Sequence, residues 1–311
     1  MAGESTAAGT FGAVAIKAAY DKYFEMALRH APILREIADK RPVQVDKPGS
    51  SVTFHVHADL APQTGTLTDG TDVTAVTLPA PTPITINLLE YGAAVVTTRL
   101  LREFSMSDVD PYAAEQVAYN MRDSLDVLFQ TELRAGTNVR YAGTGNAATA
   151  DVAAGDKITS NDVRTIVTKL RGNAAVPRVG DLYGCWLHPD VAFDLKAETG
   201  SANWRAPHEY VAPDNIWRHT LGVYEGAYFV ESARMYNATD GTTSQRVYRT
   251  VFAGKQAVAE AVAVEPGLVI DGSPGSDKLR RLQTLGWYGV LGWKVFRQAA
   301  LYRLESASTI V

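Results

Sequence analysis

Few side chains in this sequence have the types and spacing that catalysis or metal binding would require. His55 and His57 alternate along a predicted strand and could supply two ligands to a zinc ion, but no cluster that could provide the third and fourth ligands is visible. Cys185 and His188 could form a thiolate–imidazole pair, although a buried core cysteine is the commoner arrangement. We therefore interpret the two histidines as the polar face of a strand and Cys185 as a core residue.

Motifs for nucleophilic, metallopeptidase or nucleotide chemistry are missing from the sequence. It contains no G-x-S-x-G, H-E-x-x-H or G-x-x-x-x-G-K-[ST] pattern. The fragment Gly143-Thr144-Gly145 lacks the later glycine and the helix of a dinucleotide-binding loop. Asp108 and Asp110 could act as paired carboxylates, but capping of the helix that follows suits their position better. The sequence thus predicts no catalytic residue, cofactor or metal ligand, and we expect the protein not to be an enzyme.

Composition places the chain among ordinary globular proteins. It has 311 residues, of which 46% are hydrophobic and 21% charged. Its net charge of −4 gives no general attraction to nucleic acid. One cysteine excludes an internal disulfide and multi-cysteine metal sites. Because no apolar run is long enough to span a membrane and the N-terminus lacks the features of a secretion signal, we expect a soluble intracellular product without a membrane partner.

The most informative segment runs from Lys47 to Arg99, because no lysine or arginine lies between these two residues. It reads as a strand near 52–58, a tip over 59–83 with two glycines and four prolines, and a return strand near 84–88. Both strands are predicted from the alternation of apolar and polar residues along them. A two-stranded ribbon is marginal in water on its own, and loops longer than ~12–15 residues usually serve a function or are disordered. We expect another molecule to hold the ribbon, which favours an assembly protein over an enzyme.

The elements around this segment are predicted from periodicity and capping. A long amphipathic helix is predicted over about 111–135, with Asp110 as its N-cap, Pro111 in its first turn and Gly136 after its end. Its length corresponds to a rod of about 37 Å. A second helix is predicted over about 160–171. Strands are predicted over 183–187, 228–231, 246–253 and 257–264, and within a β-rich tail over 278–305.

The order of these parts resembles the major capsid protein of tailed double-stranded-DNA bacteriophages, which has the HK97-like fold. The resemblance in order covers nearly the whole chain, and the implied fold class is α+β. Three short pieces also resemble the branch related to the coat protein of phage N4. These pieces are Leu89-Glu90-Tyr91-Gly92, Leu285-Gly286-Trp287-Tyr288-Gly289 and Gly292-Trp293-Lys294.

The resemblance implies a division into an N-terminal arm, an extended hairpin called the E-loop, a peripheral domain with a long spine helix, and an axial domain. The implied boundaries are 1–42 for the arm and its helix, 43–100 for the E-loop, 101–172 and 266–311 for the peripheral domain, 111–135 for the spine helix, and 173–265 for the axial domain. The last strands, within 278–305, are expected to return to the peripheral sheet. The irregular segment 199–222 is the candidate for a pore-facing loop.

The resemblance further implies that copies of this chain form hexamers and pentamers in an icosahedral lattice. Such a shell would be part of the virion, would enclose double-stranded DNA through sparse non-specific contacts, and would need no cofactor. A separate scaffold, a portal and a cement or decoration protein are candidate partners. Some family members lock their shells with an isopeptide bond from an E-loop lysine. Because no lysine lies between Lys47 and Lys157, we expect a non-covalent shell here.

Contacts between neighbouring copies are expected to pair acidic residues of the E-loop with basic residues of the long helix and the tail. The acidic candidates are Asp59, Asp69, Asp72 and Glu90, and the basic candidates are Arg122, Arg134, Arg280 and Arg281. An exposed ion pair contributes only ~0.2–1 kcal/mol. The arrangement of positive and negative charges should therefore determine the specificity of docking more than its strength.

Three alternatives remain open at the level of sequence. An encapsulin-like nanocompartment shell shares the fold and would enclose enzymes instead of DNA. A soluble α/β hydrolase or oxidoreductase would need a nucleotide or nucleophile motif that is not visible. A phage tail or adhesin β-protein is disfavoured by the long capped helix.

Overall fold

The computed structural model describes most of the chain as an α+β fold with three sheets and four α-helices within the described ranges. The described residues are 33–41, 49–73, 75–105, 109–200, 203–205, 214, 218, 221–271, 279 and 281–310. The predicted arm and most of its helix therefore lie outside the described residues, as does most of the proposed pore-facing loop.

The strands account for most of the regular structure. They are β1 (Asp39–Arg41), β2 (Ser51–Val56), β3 (Thr82–Asn87), β4 (Leu89–Thr98), β5 (Val139–Tyr141), β6 (Tyr183–Leu187), β7 (Val223–Tyr224), β8 (Ala227–Glu231), β9 (Asn237–Ala238), β10 (Val247–Ala253), β11 (Val258–Asp271), β12 (Leu282–Val295) and β13 (Leu301–Ser306). The four helices are α1 (Arg99–Phe104), α2 (Val109–Arg134), α3 (Ser160–Gly172) and α4 (Pro189–Ala197). The strands predicted over 183–187, 228–231 and 246–253 are confirmed within a residue of their ends.

The long helix predicted from capping and periodicity is confirmed as α2. It has 26 residues, which corresponds to about 39 Å. The helix begins at Val109, so that Asp110, expected as its N-cap, lies in the first turn instead. Gly136 follows the end of this helix and lies close to β13, since a Cβ added at Gly136 would be 2.9 Å from Leu301 Cδ2.

Helix α2 packs on a four-stranded sheet with the order β1-β11-β12-β4. The tryptophans on one face of β12, Trp287 and Trp293, are buried in one core cluster with Phe129 of the helix. The ring centroids of Phe129 and Trp293 are 6.0 Å apart, and Trp287 Nε1 donates a hydrogen bond of 3.0 Å to Asn120 Oδ1. Because side chains alternate along a strand, the even-numbered residues of β12 lie on the opposite face, which we call the outer face of this sheet.

A seven-stranded sheet forms the second half of the fold. Its order is β5-β13-β10-β6-β8-β7, and β9 pairs with β10. Helices α3 and α4 share a core with this sheet, in which Ile166, Cys185 and Leu195 are buried. The β-rich tail is divided between the two halves, because β12 pairs with β4 and β11 whereas β13 pairs with β10 and β5. The last strands therefore lie in two different sheets, and the assignment of residues 266–311 to the peripheral domain stays a prediction.

Candidate assembly surface

The ribbon is formed by β2, β3 and the tip between them, residues 57–81. Its two strands pair antiparallel from Ser51 opposite Asn87 to Val56 opposite Thr82. The predicted alternation is confirmed, since Val52, Phe54 and Val56 are half-buried and the residues between them are exposed. Thr53 and Thr85 share a hydrogen bond of 3.0 Å between their hydroxyl oxygens on the exposed face.

The base of the ribbon is held by its own subunit. The Phe54 ring packs edge-on against the Phe296 ring, with centroids 6.3 Å apart. Ile86 is fully buried in a cluster with Ala259 and Ala261 of β11. The expectation that another molecule holds the ribbon is therefore wrong for its base, because the outer face of the four-stranded sheet already covers the apolar side of β3.

The tip of the ribbon has the opposite character. Its described residues form no helix or strand and are exposed to solvent. Five large apolar side chains there, Leu60, Leu67, Val73, Val76 and Leu78, have exposed fractions from 51% for Leu60 to 81% for Leu78. Such a concentration of exposed apolar side chains in one segment is a feature of interaction sites.

The acidic residues selected from the sequence are all exposed, but they do not form one group. Asp59, Asp69 and Asp72 lie on the tip, where Asp72 Oδ1 accepts a hydrogen bond of 2.8 Å from the N–H of Val73. Glu90 lies beyond the ribbon, in β4, where it pairs with Val290 of β12. Three of the four acids can therefore act as part of the ribbon tip.

The basic residues selected from the sequence differ in their surroundings. Arg122 is exposed on α2, whereas the guanidinium of Arg134 lies 3.8 Å from the ring centroid of Tyr236. The backbone oxygen of Arg281, which is also exposed, accepts a hydrogen bond of 2.7 Å from the N–H of Arg99. Arg280 lies outside the described residues. Arg134 is thus occupied within its own subunit.

Sequence reasoning missed an open apolar trough on the outer face of the four-stranded sheet. The trough encloses about 500 Å³. Its lining consists of Gly92, Ala93, Ala94, Val269, Thr284, Gly286, Trp287 and Tyr288. The signal that could have suggested it is the run Gly92-Ala93-Ala94, because small residues in a strand leave a sheet face uncovered.

Sequence reasoning also missed a set of hydrogen bonds that holds the segment before the ribbon against the helix and the sheet. The 3-10 turn Leu34–Ile37 begins under α2, where the carboxylate of Asp126 accepts hydrogen bonds of 3.2 Å from the N–H groups of Leu34 and Arg35. Burial raises the pKa of Asp126 above its ordinary value. Arg35 Nε also donates to Glu260 Oε1 at 2.7 Å. These contacts lock residues 34–37 to both the helix and the sheet.

The residues considered for chemistry have other roles. His55 and His57 are exposed, and no group of three or more metal-ligating side chains occurs among the described residues. Burial raises the pKa of the Cys185 thiol well above its ordinary value. His188 caps α4, since its Nδ1 accepts a hydrogen bond of 3.3 Å from the N–H of Asp190. None of the helices in the described part of the chain is long and apolar enough to cross a membrane.

Comparison with known proteins gives one consistent relationship. The family model described as phage capsid protein matches residues 7–302, whereas no curated protein matches significantly. The fold is similar to the capsid of Ralstonia phage GP4, with a TM-score of 0.73, 18% identity, and coverage of 94% of this chain and 96% of that chain. It is also similar to the capsid of cyanophage P-SCSP1u, with a TM-score of 0.73, 15% identity, and coverage of 93% and 92%.

A third similar structure is the head of Helicobacter pylori bacteriophage KHP40, with a TM-score of 0.71, 15% identity, and coverage of 91% of this chain and 94% of that chain. The α+β architecture is thus the HK97-like fold of tailed-phage capsids, as the order of elements in the sequence predicted. Because the family match extends over nearly the whole sequence, the chain belongs to the phage capsid protein family, whose members are structural proteins of the virion.

Proposed function

We propose that this chain is the major capsid protein of a tailed bacteriophage and forms an icosahedral shell of hexamers and pentamers around double-stranded DNA. The observation that carries the proposal is the contrast within the ribbon, whose base is built into the subunit while its tip exposes five large apolar side chains. Exposed apolar surface is unfavourable for an isolated subunit. A lattice can bury that surface on neighbouring copies, where many weak contacts add up through multivalency.

We also propose how the domains of the fold are distributed along the chain. Residues 43–100 contain the E-loop, α2 is the spine helix, residues 101–172 and 266–311 form the peripheral domain, and residues 173–265 form the axial domain. The pairing of β13 with β10 supports one refinement. We assign β13 and its neighbour β5 to the axial sheet, because strands that share a hydrogen-bonded ladder move as one body.

The acidic ribbon tip is proposed to face a basic surface of the adjacent copy. Asp59, Asp69 and Asp72 are available for this role because they are exposed. Arg122 is the better candidate partner, since Arg134 stacks on Tyr236. Each exposed ion pair would contribute only ~0.2–1 kcal/mol, so these charges orient the tip and something else must supply the strength of the contact.

The remaining partners follow from the same proposal. The net charge of −4 favours weak, non-specific contact with the enclosed DNA. A separate scaffold, a portal and a cement or decoration protein would complete the particle. The chain itself would act as a structural protein and not as an enzyme.

The proposal is tested by expressing the full-length chain and examining the product by negative-stain electron microscopy and sedimentation. Closed particles of uniform size are expected. A product that stays monomeric at every concentration, with or without phage lysate as a source of assembly factors, would contradict the proposal. Shells that enclose an enzyme and exclude DNA in the native host would instead identify a nanocompartment.

A further inference from the structure

The chain passes between the two halves of the fold through three connections that lie side by side. Residues 135–138 lead from α2 to β5, residues 254–257 from β10 to β11, and residues 296–300 from β12 to β13. The N–H of Gly254 donates a hydrogen bond of 2.8 Å to Ala300 O, which joins the second connection to the third.

The first connection is bonded to the third as well. The N–H of Thr137 donates a hydrogen bond of 3.1 Å to Gln298 Oε1, and Asn138 Nδ2 donates one of 2.6 Å to Gln298 O. We call these three connected segments the junction. Hinge motions of proteins are absorbed by a few loop or element-terminal residues, so a change in the angle between the seven-stranded sheet and α2 would turn about the junction.

Away from the junction, one arginine of the seven-stranded half reaches the long helix. Arg234 lies between β8 and β9, and its Nη2 donates hydrogen bonds of 3.0 Å to Asp123 Oδ2 and 3.2 Å to Tyr119 Oη. Arg234 Nε lies 3.0 Å from Asp123 Oδ1. The backbone oxygen of Arg234 also accepts a hydrogen bond from the Gln130 side chain. The helix thus binds both the side chain and the backbone of this residue.

The distance of the Arg234 contact from the junction lets it restrict the angle between the halves. Asp123 precedes Arg134, the last residue of α2, by 11 residues, which corresponds to about 17 Å along the helix at 1.5 Å per residue. A contact on a hinge constrains rotation little, whereas a contact at this distance opposes it. Because two guanidinium nitrogens face the two carboxylate oxygens, the pair also has a defined geometry.

The contact is better suited to orientation than to stability. The side chains of Arg234 and Asp123 are 41% and 23% exposed, and exposed ion pairs add little to stability. A buried apolar cluster that contains Leu125 of α2 and Met235 of the seven-stranded half holds the two halves together. Hydrophobic contact is non-directional, so the directional contact of Arg234 is what selects one angle among those that the cluster permits.

We infer that Arg234 is a latch that fixes the angle between the seven-stranded sheet and the long helix by binding Asp123 and Tyr119. The latch is a property of the single subunit. Its consequence for a shell rests on the proposed function: contacts made by one half are held at a set angle to those made by the other. Opening the latch lets copies adopt different angles and therefore form shells of different curvature.

The inference is tested by pulsed electron–electron distance measurements on the unassembled full-length chain. Spin labels at Val223→Cys and Leu268→Cys report on the two sheets, since both side chains are 48% exposed, and the native Cys185 is fully buried. Arg234→Ala is expected to widen the distance distribution at least about twofold, because the subunit then samples several angles. Asp123→Ala should widen it equally, and the double variant should widen it no further, since both changes remove one contact.

The matched control is Arg164→Ala, which removes an ion pair of the same kind within the seven-stranded half. Arg164 Nη2 lies 2.9 Å from Glu225 Oε1, and the two side chains are 46% and 32% exposed. This variant should keep the narrow distribution. If Arg234→Ala gives the same distribution as Arg164→Ala, or if Asp123→Ala does, the inference is overturned. The proposed function would then stand, because the subunit is measured before assembly.

A second measurement compares the shells that the two arginine variants form. Negative-stain images of Arg234→Ala are expected to show a broader spread of particle diameters than those of Arg164→Ala. Equally uniform shells would overturn the link between the latch and curvature. Failure of both variants and of the unmodified chain to form particles would instead count against the proposed function.

Discussion

The anchoring of the ribbon leads to a sharp prediction at Gly292. In Gly292→Ala, the new Cβ would lie 2.0 Å from Asn87 O, which is backbone and cannot rotate away. The ribbon base must therefore move off the sheet. Overpacking of this kind costs typically about 1–3 kcal/mol, and we expect about 2 kcal/mol here because the movement also uncovers Ile86, which is fully buried.

The predicted loss is local, so a local assay is needed. Hydrogen exchange of the unassembled full-length chain is expected to speed up roughly 30-fold at amides of β2 and β3, the factor that corresponds to about 2 kcal/mol. Amides of the seven-stranded sheet should not change. Because the base positions the tip, the variant should also assemble poorly.

A matched glycine variant separates the clash from any general effect of alanine. Gly267→Ala lies in β11 of the same sheet, where the nearest atom to a new Cβ is Glu265 O at 3.9 Å. We expect its effect to stay within about 0.5 kcal/mol. The reasoning is refuted if Gly292→Ala and Gly267→Ala exchange at the same rate throughout the ribbon.

Three further predictions concern the turn before the ribbon, the cap of α4 and the ribbon tip. Asp126→Ala leaves two N–H groups without their acceptor and should lower the free energy of unfolding by about 1–3 kcal/mol, measured by urea titration against Asp72→Ala, which should have almost no effect. Burial lowers the pKa of His188 below its ordinary value near 6.5. The contribution of the neutral His188 side chain to stability is therefore present above pH 6.5 and is lost as the pH falls through the lowered pKa. Between these two pH values, the melting temperature of His188→Gln should depend less steeply on pH than that of the unmodified chain. Equal pH dependence of the two melting temperatures would contradict the capping role of His188. Charge reversal by Asp69→Lys with Asp72→Lys should impair particle formation while leaving the subunit folded by circular dichroism, and normal particles at physiological salt would rule out electrostatic orientation of the tip.

Local patterns in the sequence were sufficient for many of the elements, although β4 and α1 were not predicted. Alternation of apolar and polar residues predicted both ribbon strands, and apolar periodicity predicted α2. Such patterns are readable because each reflects which face of one element is buried. The lack of lysine and arginine between Lys47 and Arg99 likewise indicated a segment that binds a surface, and the order of elements indicated the family.

Pairing between distant segments was decided only by the tertiary structure. Asp126 and Leu34 are 92 residues apart, yet one carboxylate holds the turn to the helix. The same holds for Arg134, a candidate for contact with a neighbour, whose guanidinium stacks on Tyr236 of its own subunit. The trough arises because Ala94, Val269 and Gly286 meet through the registers of three strands. No local pattern encodes such a meeting, because register depends on how all strands of a sheet compete for one buried face.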